Sequence, residues 1–116
     1  MKTTMKAAIL LFAIAMSGAS QGALAACDGE INLLNLAITD ATFIGKRAES
    51  EETNMLLKVQ DAVSKINEEK YGDAVDKLID ISVKANALAD APKPKLDDAS
   101  GIDAAILEAT VCINSL

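Results

Sequence analysis

The chain has 116 residues, no His, no Trp, two Cys and two Pro, with 51% hydrophobic residues but only 3% aromatic ones. That length holds one small domain, and that composition favours helices packed on Ala, Leu, Ile and Val over sandwiches or barrels, which lean on aromatics and frequent turns. Eleven cations against seventeen acids give a net charge of −6, and the missing His removes the commonest general base and transition-metal ligand.

Residues 1–25 read as a secretory signal peptide. Lys2 and Lys6 form a positive start, Ala7 to Met16 is an uncharged run of ten residues, and Ala23-Leu24-Ala25 supplies the small-residue cleavage pattern. Ten residues span about 15 Å as a helix, half of the roughly 30 Å of bilayer hydrocarbon, so the run is too short for a membrane anchor. Cleavage after Ala25 leaves a single domain, 26–116, with no transmembrane segment. Losing Lys2 and Lys6 leaves nine cations against seventeen acids, a net charge of −8. Nucleic acid and anionic membrane surfaces reward clustered cations and are poor partners for such a chain. The expected destination is the periplasm or the exterior of a bacterial cell, an oxidising space.

Cys27 and Cys112 admit two readings. An even pair in an oxidising space reads first as a disulfide. Leu24-Ala25-Ala26-Cys27 also looks like a lipobox, in which Cys27 is acylated and anchors an envelope lipoprotein. Lipidation would strand Cys112 as an odd thiol, and the apolar periodicity starts at Ile31 without the usual polar tether. A Cys nucleophile lacks any His to activate it.

Four helices are predicted in chain order. Asp28 and Glu30 suit the start of the first, whose stripe runs Ile31, Leu34, Ile38 and Ala41, widened by Leu33, Leu36, Ala37 and Ile44, and stops near Gly45, with Lys46 and Arg47 beside its negative end. The second begins near Ser50, with Glu51 and Glu52 in its first turn. It continues through Met55 or Leu56, Val59, Ala62 or Val63 and Ile66, and ends around Asn67 to Lys70. The third runs from Tyr71 or Gly72 to Ala89, so the second and third form an αα-hairpin. Asp90 to Lys95 is a linker whose two Pro residues cannot continue a helix. The fourth starts at Asp97 or Ser100, with Ser100-Gly101-Ile102-Asp103 as a weak capping box, and its stripe is Ile102, Ala105 or Ile106, Ala109, Cys112 or Ile113, and Leu116. A bridge between the start of the first helix and the end of the last closes an up-down-up-down bundle.

Chemistry is scarce. Asp97-Asp98 and Glu51-Glu52 are adjacent in sequence, hence about 100° apart on a helix, and form no acid–base pair. A loose calcium site among Asp90, Asp97 and Asp98 has no loop motif behind it. No catalytic, cofactor-binding or metal-binding residues are assigned, and no phosphate loop or nucleophile elbow is present.

Leu56-Leu57-Lys58-Val59-Gln60-Asp61-Ala62, Lys70-Tyr71-Gly72-Asp73-Ala74-Val75-Asp76-Lys77-Leu78 and Ala85-Asn86-Ala87-Leu88 together resemble the small helical FIMAH domains appended to secreted bacterial polysaccharide-degrading enzymes. These segments cover about a third of the chain. The resemblance implies a non-catalytic interaction module, here standing alone with an extra first helix.

The residues therefore predict an all-α bundle, exported, monomeric or weakly self-associating, which binds a protein or polysaccharide and catalyses nothing. Met55, Leu56 and Leu57 exceed what one stripe can bury, and such a remainder marks either a partner site or a packing contact with the first helix; Met55, Leu57 and Tyr71 are the candidate interaction face, with Tyr71 by itself reading as a packing residue at the hairpin turn. The alternative is an acid- or stress-responsive periplasmic chaperone: seventeen carboxylates neutralise below about pH 4 and turn −8 into roughly +9.

Overall fold

Four helices account for most of the described residues: α1 (Asp28–Asp40), α2 (Ala48–Asn67), α3 (Tyr71–Ala89) and α4 (Ser100–Asn114). They are seen in a computed structural model that describes residues 26–116; the signal peptide expected at 1–25 lies outside the described residues. No helix among the described residues is long and apolar enough to cross a membrane. The helices alternate up and down. α2 packs on α3, α1 on α4, and α3 on α4, with a lighter contact between α1 and α2.

Each helix buries the centre of the stripe its spacing predicts, whereas Leu33, Ile44 and Leu116, also expected on the stripes, are exposed, and Ala41 is half-buried just past the end of α1. Ile31, Leu34 and Ile38 of α1 meet Met55, Val59, Ala62 and Ile66 of α2, Ala74, Leu78, Ile81 and Ala85 of α3, and Ile102, Ala109 and Ile113 of α4 in one core. Each fully buried Leu or Ile contributes roughly 1.5–3 kcal/mol relative to exposure. Alanines at positions 62, 74, 85 and 109 are fully buried, so their stripes present little bulk where helix meets helix.

The disulfide reading is the one the structure holds. Cys27, immediately before α1, is joined to Cys112 in the last turn of α4, with Cα atoms 5.9 Å apart and 85 residues between them in sequence. Cys27 is fully buried. A sulfur bonded to Cys112 has no valence left for an acyl thioether, so the bridge and the lipid anchor exclude one another.

Two boundaries differ from the sequence reading, the first for a non-local reason. α1 ends at Asp40, well before Gly45, because Ala41 turns extended and Phe43 forms an antiparallel bridge with Leu96. The Ile44 amide donates to the Lys95 carbonyl (2.9 Å) and the Asp97 amide to the Thr42 carbonyl (3.1 Å), so this strap satisfies backbone groups that a longer helix would have paired internally. Gly45, at φ +96°, instead makes the turn into α2, which starts at Ala48, earlier than expected. Lys46 and Arg47 therefore lead into α2 and do not trail α1. Leu96, just beyond the predicted linker, is fully buried and plugs the core.

The α2–α3 turn is as short as predicted and carries one strained residue. Glu69 sits at φ +61°, with its amide bonded to the Ile66 carbonyl and the Lys70 amide to the Lys65 carbonyl. That is a Schellman closure, in which Gly or Asn usually fills the left-handed position.

Candidate functional site

The residues expected to form one face do not share one. Met55 is 1% exposed and belongs to the core, four residues before Val59 on the buried stripe of α2. Leu57, two positions on and so about 200° around the helix, is 52% exposed. Tyr71 is half-buried at the start of α3 and packs against the core. The apolar surplus at Met55-Leu56-Leu57 is thus mostly absorbed by packing.

The larger unburied surplus lies on α3 and α4. Ile79 (48% exposed) and Val83 (64%) are one turn apart on α3, and Leu107 (62%) and Val111 (61%) are one turn apart on α4. A hydrogen-bond cluster fixes how these two rows face each other. The Ser82 hydroxyl donates to Asp103 Oδ1 at 2.6 Å, and Asn86 Nδ2 donates to Asp103 Oδ1 and Oδ2 at 3.1 and 3.0 Å. Asn86 Nδ2 also lies 2.9 Å from the Ser82 carbonyl. Charge-assisted bonds of this kind are the stronger ones, and here they clamp α3 to α4 in antiparallel register.

The rows follow from that clamp. Ile79 lies two turns before Asn86, hence about 20° from it around α3, and Val83 is one turn after Ile79. Leu107 and Val111 continue the i, i+4 row that starts at Asp103. The four side chains therefore rim the outer groove between α3 and α4. Two of them are masked in sequence by a core neighbour, Ile79 by Leu78 and Leu107 by Ile106. The available signal was that Ile79/Val83 and Leu107/Val111 are i, i+4 pairs that fall off both predicted stripes.

Two clefts carry charge. The first, about 440 Å³, is lined by Arg47, Glu51, Asn54, Met55, Lys58 and Lys84. Glu51, expected at a solvated helix start, occupies the buried stripe one turn before Met55 and is 8% exposed. Lys84 Nζ approaches its carboxylate at 3.7 Å. The cations supply counter-charge to a carboxylate withdrawn from water. The second cleft, about 280 Å³, holds Asp40, Asp97 and Asp98. Asp98 is occupied locally: its two oxygens accept from the Ser100 amide (3.0 Å) and hydroxyl (2.9 Å), which holds its pKa below the usual carboxylate value. Asp98, not Ser100, thereby serves the start of α4, and Asp103 of the expected capping box is turned toward α3 instead. Asp90 does not line this cleft. Among the described residues, no three His, Cys, Asp or Glu side chains converge to hold a metal ion.

Beside the disulfide, Asp28 and Asn32 are one turn apart on α1, and each has a buried Oδ1 without a hydrogen-bond partner. Burial pushes the Asp28 carboxyl above its ordinary pKa.

Comparison of the chain with protein-family models, with curated proteins and with solved structures finds no match.

Proposed function

We propose that this chain is an exported, non-catalytic interaction protein that binds its partner through the outer face of α3 and α4. The observation that carries the reading is the row of Ile79, Val83, Leu107 and Val111, four large apolar side chains about half exposed or more, on two helices locked in register. Contiguous apolar surface that a small domain leaves in water marks interaction sites. A rigid pair of helices is a suitable platform, because little ordering entropy is lost on binding. The resemblance to FIMAH domains supports the same class of function.

Export is supported by the order of charges, apolar run and small residues in 1–25 and by the Cys27–Cys112 bridge, which persists only in an oxidising space. The test of the face is a pair of exposed-site variants, Val83→Asp and Leu107→Asp. Both should melt within a few degrees of the parent and fail to co-purify with the envelope partner that the parent retains. Co-purification unchanged in both variants would refute the assignment.

A further inference from the structure

The same face also carries charge of only one sign, and this narrows what can cover it. Asp76 and Asp80 are exposed and lie three residues before Ile79 and Val83, so each sits beside its apolar neighbour on the outer side of α3. Glu108 is exposed and lies three residues before Val111 on α4. Among the described residues, none of the three is within ion-pair distance of a Lys or Arg. α4 contains no cation at all between Ser100 and Asn114. α3 has two, and both face away: Lys84 reaches across to Glu51 of α2 at 3.7 Å, and Lys77, two turns earlier, is on the same side of the helix. The face therefore carries two apolar rows, the Ser82–Asn86–Asp103 clamp between the helices, and an acidic border without an ion pair among the described residues, on a domain whose net charge over 26–116 is −8.

We infer that the occupant of this groove is an amphipathic helical segment of another protein, apolar on one side and bordered by Lys or Arg. The inference rests on the α3–α4 face being the binding surface. A helix laid in a groove anchors through i, i+3 or i+4 and i+7 residues, with successive anchors about 6 Å apart, the same one-turn spacing that separates the two side chains within each row. Cations flanking that stripe would meet Asp76, Asp80 and Glu108, which steers encounter and fixes orientation. A second copy of this chain would bring acid against acid. An anionic bilayer would be repelled in the same way.

The test uses the disulfide-bonded protein, residues 26–116, and two synthetic helical peptides with one leucine stripe, bordered by lysine in one and by glutamate in the other. Fluorescence anisotropy should show binding of the lysine peptide, weakening as salt rises, and far weaker binding of the glutamate peptide. Leu107→Ser should lower affinity for the lysine peptide tenfold or more, on the order expected for a groove-centre contact. Asp80→Asn and Glu108→Gln should each lower it about two- to fivefold, while Asp61→Asn on α2 should change nothing. Equal binding of both peptides, equal loss from Asp61→Asn, or binding of neither overturns the inference. So does sedimentation showing self-association that Leu107→Ser abolishes, or stronger capture by phosphatidylglycerol vesicles than by the lysine peptide. If Val83→Asp and Leu107→Asp still abolish co-purification while both peptides fail, the face stands and only the partner chemistry is wrong.

Discussion

Reducing the Cys27–Cys112 bridge should remove much of the stability of this domain. The bond closes a loop of 85 residues and joins the beginning of α1 to the end of α4. The chain-entropy relation, in which the cost grows with the logarithm of loop length, gives about 4.5 kcal/mol for a loop of this size. A domain of about 90 residues has a total stability on the order of 5–13 kcal/mol. Urea unfolding with and without a reductant measures the difference with every side chain retained. The midpoint should fall by more than about 1 M. The slope should rise, because an uncrosslinked unfolded chain exposes more surface. A loss below about 1 kcal/mol would refute the reasoning, and would mean that the unfolded chain keeps α1 and α4 together without the bond.

Core and surface on α2 should separate cleanly: Met55→Ala should cost about 2–4 kcal/mol, since the side chain is buried, whereas Leu57→Asp should move thermal unfolding by less than about 0.5 kcal/mol. Asp28→Asn should stabilise the protein at pH 7. The folded-state pKa is raised, so the charged form is the disfavoured one above it, and the gain should vanish below about pH 3.8, where both states are protonated. An equal gain at pH 3 in chemical denaturation would contradict this. Glu69→Gly should raise stability by about 0.5–1 kcal/mol by relieving a left-handed residue, and a loss would show that the strain is offset elsewhere. Asp103→Ala should cost about 1–3 kcal/mol, because the donors of Ser82 and Asn86 lose their acceptor.

What the sequence made legible was local. The 3.6-residue spacing of Ile31, Leu34 and Ile38, or of Ile102, Ala109 and Ile113, needs no partner to be read, and the helix count and the bundle follow from such spacings, whereas the Cys27–Cys112 closure was read from an even pair of Cys, with lipidation of Cys27 as its rival. What it hid was set by contacts far along the chain. Gly45 looks like the stop of α1, yet the helix yields at Asp40 because Phe43 pairs with Leu96, more than fifty residues away in sequence. Spacing to Val59 left Met55 and Leu56 as alternatives for the α2 stripe, and the packing of α2 decides for Met55, which is core, while Leu57 off the stripe stays exposed. Glu51 reads as a solvated first-turn acid until Lys84 of α3 is placed beside it. The α3–α4 groove was the hardest to see. Its two rows lie in different helices, and the bond that aligns them, Ser82 to Asp103, joins residues 21 apart.

The central claim is that the groove between α3 and α4, rather than Leu57 on α2, is where this protein is held by its partner. The most direct measurement places a photoreactive side chain at Leu107 or at Leu57 in the otherwise unchanged chain and irradiates the envelope of the producing cell. The account predicts one discrete cross-linked product from position 107, lost when Val83→Asp is added, and none from position 57. A product from position 57 alone, or one from 107 that survives Val83→Asp, would contradict it.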